Sequence, residues 1–387
     1  MKAIYAKKIY TPCGFVQSGY LLYENGIIKA ITSKKPNCEV LDYSNYSLIP
    51  GLIDIHVHGI AGNDTMDATP EALQGISLSL AKHGVTSFLP TTLTHEFTKI
   101  IDAVRAVSTQ IGKTNGAEIV GSYVEGPYLT PEHRGAHPVH YMREITIADF
   151  DKLIDASNGT IKVVTIAPEK ENAFNGISYL RQKDILVSMG HTNSDYETAN
   201  LAIKYGANIS VHTFNGMRGF NHREPGCLGA FLTNEATYCE LIADLEHVHP
   251  AAIKLLYKAK GAEKILLISD SMAAADLPDG DYQLGSLPVK VTNGTARTVE
   301  TGSLAGSTAT MMDCLMNIQK VLNLPLEMVL PMASLNQARL LGIDNKTGSL
   351  EVGKKLNAAI IDSEFEVQAT FVNGDAVYEK ESSQFIQ

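Results

Sequence analysis

Up to residue 50, apolar and polar positions alternate in short runs, "AIYAKKIYT", "GYLLYENGIIKAIT" and "YSLIPG". That is the period of strands with one buried face, and Asn25-Gly26 after Glu24 supplies a hairpin turn. These segments are expected to be antiparallel strands. The same texture returns after residue 345 in "TGSLEVGKKLNAAIIDSEFEVQATFVNGDAVYE", where Asn373-Gly374 is a second hairpin signal. Residues 1–50 and 346–387 are therefore expected to share one small β-sandwich domain.

Between them, residues 51–345 change texture. Apolar runs of strand type occur at Leu52 to His56, Thr86 to Pro90, Ile119 to Glu125, Ile161 to Ile166, Ile185 to His191, Asn208 to His212, Tyr238 to Ala243 and Ile265 to Asp270. Segments such as "PEALQGISLSLAKHG" and "SDYETANLAIKYGA" separate them, with apolar residues three and four apart and glycine at the close. Eight strand-helix units predict a (β/α)8 barrel of the TIM type. A doubly wound open sheet is the rival, but no GxGxxG follows the first strand.

Composition narrows the function classes. With 387 residues, 44% hydrophobic and 19% charged, the chain can fill a barrel and a smaller domain. A net charge of -10 argues against nucleic acid or an anionic membrane as partner, so a small anionic substrate would need a local cationic pocket. The five cysteines are scattered, without a CxxC pair, and no segment reaches about 18 uninterrupted apolar residues. A cytoplasmic location is expected.

The polar residues supply the chemistry. Barrel active sites lie at the carboxyl ends of the strands. The first strand ends in His56 and His58, which share a face because i and i+2 do so in a strand. The third ends in Glu125, the fifth in His191, the sixth in His212 and the eighth in Asp270. Imidazole and carboxylate oxygen are ligands of zinc, iron, cobalt and manganese, so one or two divalent metal ions are expected. Glu125 can give one oxygen to each of two ions, joining His56 and His58 on one side to His191 and His212 on the other. Asp270, acceptor-only when ionised, can hold a water and take its proton. The set is suited to hydrolysis. Met311 and Met312 are read as core filler on a helix.

The motifs "PGLIDIHVHG", "YVEGPYL", "MGHTNSDY", "HTFNGM", "REPGCLGA" and "LISDS" together resemble the amidohydrolase superfamily, and within it a branch of sugar-phosphate deacetylases. The resemblance covers nearly the whole chain. It implies removal of the acetyl group from N-acetylglucosamine-6-phosphate in amino-sugar catabolism and recycling, with a homodimer as the assembly. It also implies metal ligation by His56, His58, Glu125, His191 and His212, with Asp270 as general base and acid at the metal. Ala136 and His137, in "RGAHP", match a substrate-binding loop whose histidine polarises the acetamide carbonyl. Asn215, Gly216 and Arg223 match positions that bind the sugar phosphate. His247 matches a histidine near the sugar, but the family tends to have glycine where this chain has Leu245, which leaves His247 and His249 both open. "GSLAGS" at 302–307 resembles a loop that closes over the acetyl group. A modified lysine that bridges metals in related subtypes has no counterpart, because Lys162 starts the fourth strand and none ends it. Two alternatives stand beside this reading: another amidohydrolase acting on a cyclic amide or an N-acyl amino acid, and a catalytically silent scaffold.

Overall fold

The two Asn-Gly turns, at opposite ends of the chain, lie against each other. In the computed structural model, which describes residues 1–380, both residues of each turn have positive φ: 50° and 72° at Asn25-Gly26, 52° and 86° at Asn373-Gly374. This is the twist that a two-residue hairpin needs. A Cβ on Gly26 would sit 2.2 Å from the Asn373 carbonyl oxygen, so the second glycine of the first turn is fixed by packing as well as by dihedral.

Both chain ends build one seven-stranded sheet in the order Asp375–Glu379, Val367–Val372, Ala358–Ile361, Glu39–Pro50, Lys2–Thr11, Gly14–Glu24 and Ile27–Thr32. All pairings are antiparallel except one: Lys2–Thr11 runs parallel to Glu39–Pro50. The fully antiparallel expectation for the first 50 residues is corrected there. Gly14–Glu24 already occupies one edge of the first strand, so the returning chain pairs with the other edge after a crossover. One face of the sheet has its own core, including Ile4, Leu21, Leu48, Leu356 and Phe371. Ala359, Ile361 and Val367 join the core of the central domain instead, which docks the sheet on the barrel. Residues 381–387 of the expected segment 346–387 lie outside the described residues.

The eight expected barrel strands are present and parallel: Leu52–Val57, Val85–Thr92, Ser122–Val124, Ile161–Thr165, Leu186–Met189, Ile209–Ser210, Tyr238–Ile242 and Ile265–Ile268. Each is followed by a helix, from Pro70–Lys82, capped by Thr69, to Met311–Leu322, capped by Thr310. The barrel closes between its first and eighth strands through backbone bonds from Asp270 N–H to His56 O and from His58 N–H to Ser271 O, both 2.9 Å. Asp54 pins the same seam by accepting the Ser269 hydroxyl and the His56 N–H.

The barrel interior is packed by Ile53, Leu89, Val163, Ile242 and Leu266. Its amino end is plugged by the helix Leu335–Leu340: the buried amides of Asn336 and Gln337 donate to Ile265 O and Leu267 O, at 2.8 and 2.9 Å. Among the described residues the amino end is thus closed, and the site cavity opens at the carboxyl end. One element was not expected. After the eighth strand, Gly280–Leu284, Leu287–Thr292 and Thr295–Thr298 form a three-stranded antiparallel sheet. It packs Leu284, Val289 and Ala296 against Leu93 and Met272 at the carboxyl rim.

Candidate active site

Glu125, immediately after the third barrel strand, is the centre of the site. Its Oε2 lies 3.1 Å from His58 Nε2 and 3.5 Å from His56 Nε2, while its Oε1 lies 2.9 Å from His212 Nε2 and 3.3 Å from His191 Nε2. The side chains fall into two donor groups, His56-His58-Glu125 and Glu125-His191-His212, that share only Glu125. Asp270 overlies the first group, with Oδ1 3.3 Å from His58 Nε2 and 3.5 Å from His56 Nε2. His191, His212 and Asp270 stand two residues past their strands rather than within them, as the expected runs had it, and carry φ of 46°, 25° and 50°. Left-handed backbone at non-glycine residues is costly, and here it turns three side chains from the strand direction onto one point.

What each histidine can do is set by what its outer nitrogen meets. Nδ1 of His56 donates to Glu240 Oε2 at 3.1 Å, of His58 to Thr91 O at 3.2 Å, of His191 to His133 O at 2.8 Å and of His212 to Asn215 O at 3.2 Å. In the neutral rings each proton is thereby held outside, which leaves four Nε2 lone pairs to face inward. His191 and His212 bring theirs within 3.0 Å of each other, and His56 Nε2 is buried without a hydrogen-bond partner. Converging lone pairs and an orphaned buried nitrogen fit a cation, and N/O donors of this kind suit zinc and its neighbours.

His137 is the opposite case. Its Nδ1 accepts the Thr94 N–H at 3.4 Å and lies 2.8 Å from Thr94 Oγ1, so the proton is on Nε2, 3.6 Å from Glu125 Oε2. Burial, then the neighbouring His191, hold His137 well below the ordinary imidazole range, so it is a neutral N–H donor. Burial works against charge at His56 too, but Glu125, Asp270 and Glu240 raise it well above that range. Against the same burial, Asp270 and Glu125 push His58 up to about 9. His56 and His58 in turn overcome the burial of Asp270 and bring its carboxyl down to about 2, leaving it ionised.

The donor groups floor a cavity of about 190 Å³, whose wall holds Ala136, His137, Asn215, Gly216 and His247 and whose rim holds Ser303, Leu304 and Gly306 of the 302–307 loop. His56 sits behind this surface, fully buried. Of His247 and His249, His247 is the one that lines the cavity. Leu245 adopts φ of 72°, the conformation glycine would take without strain, and the loop still lets Asp244 grip His247 Nδ1 at 2.6 Å. His249 instead accepts the Ala251 N–H and caps the helix Pro250–Lys260. Arg223 is not brought to the cavity. It is exposed, bonded to His222, and lines a separate hollow with Arg218 and Glu224.

Sequence reasoning missed Glu240, Asp54 and Glu169. Glu169 accepts from Thr130, Thr192 and the Asn193 N–H, and so ties together the loops that carry the third- and fifth-strand residues. For Glu240 and Asp54 the available signal was a lone carboxylate inside an apolar strand.

The model of the amidohydrolase family matches residues 47–377. The chain belongs to that family. It is 41% identical to the N-acetylglucosamine-6-phosphate deacetylase of Vibrio furnissii, over 93% of this chain and 90% of the relative. It is also 40% identical to the N-acetylgalactosamine-6-phosphate deacetylase of Escherichia coli O157:H7, over 95% and 97%. Among solved structures it is similar to a mutant N-acetyl-D-glucosamine-6-phosphate deacetylase of Mycobacterium smegmatis in complex with N-acetyl-D-glucosamine-6-phosphate. That match has a TM-score of 0.92 at 29% identity and covers 97% of this chain and 99% of the other. In this amidohydrolase, both histidine pairs and the strand-end aspartate are present together, which argues against a silent scaffold.

Proposed function

We propose that this amidohydrolase hydrolyses the acetamide of N-acetylglucosamine-6-phosphate, giving glucosamine-6-phosphate and acetate, in the cytoplasm. The observation that carries the reading is the sorting of five histidines by their outer partners into four inward lone pairs and one inward N–H, around Glu125 and beside an ionised Asp270. The names of the relatives supply the substrate class.

His56, His58 and Glu125 would hold one divalent ion, and Glu125, His191 and His212 a second, with zinc, iron, cobalt and manganese all compatible. When bound, such ions act as Lewis acids on the amide carbonyl and lower the pKa of water toward neutrality. Asp270 orients the attacking water and takes its proton as the carbon-oxygen bond forms. His137 donates its Nε2–H to the carbonyl oxygen, where negative charge develops. Asp270 then delivers the proton to the nitrogen as the carbon-nitrogen bond breaks, so the amine leaves neutral. Asn215 and the Gly216 backbone receive the sugar phosphate, His247 the sugar, and Arg223 reaches the phosphate of a second copy of the chain in a homodimer.

The test is acetate release by the metal-loaded protein from N-acetylglucosamine-6-phosphate, its galactosamine epimer and unphosphorylated N-acetylglucosamine. Turnover should be greatest on the first. A clear preference for the epimer, which the 40% identity to a galactosamine-6-phosphate enzyme makes the specific rival, would move the substrate by one hydroxyl. No release from any of the three would favour a cyclic amide or an N-acyl amino acid.

A further inference from the structure

Glu240 lies mid-way along the seventh barrel strand with its side chain fully buried. Cys239 and Leu241 on either side face the helices, so Glu240 points into the barrel beneath the site. Its Oε2 accepts His56 Nδ1–H at 3.1 Å and the backbone N–H of His212 at 3.2 Å, and its Oε1 has no partner. Among the described residues no lysine or arginine pairs with it. A buried carboxylate with two N–H donors and no lysine or arginine beside it is costly unless positive charge reaches it through the His56 ring. The compensating charge has one evident place. Across the His56 ring, the orphaned Nε2 faces Glu125 and Asp270 oxygens at 3.5 Å each.

We propose that Glu240 is a positioning residue for the ion held by His56 and His58. It keeps the His56 proton on Nδ1, so that Nε2 is a ligand, and strengthens that ligand by charge. Its second bond, to the His212 N–H, fixes a ligand of the other ion from the same carboxylate, so the two positions are built on one support. The neighbouring Tyr123 ring, 4.7 Å from the His56 ring, limits how far the imidazole could turn if the carboxylate were lost. The inference rests on the metal reading above.

The experiment is titration of cobalt or zinc into metal-free wild type, Glu240→Gln and Glu240→Leu, followed by calorimetry and by cobalt absorption, with ion content per chain measured after dialysis. Glu240→Gln, which keeps an acceptor for the His212 N–H, should weaken the His56-His58 ion by about 10- to 100-fold and leave the other within about threefold, whereas Glu240→Leu, which loses that acceptor too, should weaken both. In a His56→Ala background, Glu240→Gln should change nothing further. The metal-free melting temperature of Glu240→Gln should match wild type, because the amide keeps the shape and an acceptor. Unchanged affinity for both ions, or equal weakening of both in step with a lower metal-free melting temperature, would overturn the proposal. If Glu240→Gln does not fold, nitrogen-15 imidazole shifts of His56 in the metal-loaded wild type decide: a proton on Nδ1 with a metal-shifted Nε2 supports the role, and a proton on Nε2 refutes it. Wild type that binds no divalent ion would sink the metal reading instead.

Discussion

Replacing Gly216 by alanine adds one methyl group and should disable one ion position while sparing the other. Gly216 has φ of 59°, and a Cβ there would lie 2.7 Å from His191 Nδ1 and 2.9 Å from its Cε1. The left-handed backbone alone costs a non-glycine residue roughly 1–2 kcal/mol. The contact adds to this, because carbon and nitrogen atoms prefer to stay about 3.5 Å apart, so the ring must retreat by about half an ångström or more. It has little room: His137 packs on it at 4.4 Å between ring centroids, and Nδ1 is tied to His133 O at 2.8 Å. Ligand atoms in a metal site tolerate errors of only about 0.2 Å. The His191-His212 ion should therefore bind about 10- to 100-fold more weakly, and the metal-free protein should lose about 1–3 kcal/mol of stability. Calorimetric titration without substrate reads the first quantity, and denaturant unfolding of the metal-free protein the second. The His56-His58 ion is the internal control, since neither of its histidines touches Gly216. Both affinities at wild-type values, with stability reduced, would show that the loop absorbs the methyl group and that the close approach does not set the ligand geometry.

Asp270→Asn keeps the shape but cannot accept a proton, so turnover should fall by at least about two decades while ion content stays unchanged; near-normal turnover would remove the proton-transfer role. Arg223→Ala should lower kcat/KM on the sugar phosphate by roughly one to two decades and barely touch the unphosphorylated sugar, provided the chains associate. Equal losses on both substrates would make Arg223 structural. Ion binding should release protons, because His56 and His212 are raised and His58 reaches about 9 in the ion-free site, and a protonated imidazole has no lone pair to give. Apparent affinity should then climb as pH rises through neutrality, with a binding heat that depends on the buffer's ionisation enthalpy; an affinity flat in pH would refute this.

The donor set was legible in the sequence because histidine and carboxylate at the end of an apolar strand are unusual residues in a predictable place. Their supports were not. Three of the four outer acceptors, Thr91 O, His133 O and Asn215 O, are backbone carbonyls that any residue type supplies. Only Glu240 is a side chain, and a single polar residue in "YCELI" does not disturb an apolar run enough to stand out. The sheet at 280–298 carries its own signal, Asn293-Gly294 between alternating strands, but it falls outside the strand-helix rhythm once eight strands are counted. Leu245 marks the limit of motif matching: departure from glycine changed the residue type while the backbone kept the φ that glycine favours, so His247 still reaches the cavity.

Five histidines around Glu125 differ less in position than in which nitrogen carries the proton. Thr94 presents its N–H and its hydroxyl to His137 Nδ1, where the other four imidazoles meet a carbonyl or carboxylate oxygen. That one reversal turns a fifth lone pair outward and an N–H inward. An N–H at this place can stabilise charge on a carbonyl oxygen that a fifth ligand would leave exposed. The consequence is a division of labour written in neighbouring groups rather than in the histidines themselves. Substitutions at Glu240 or around Thr94 should therefore reassign chemistry without removing any residue that touches the substrate.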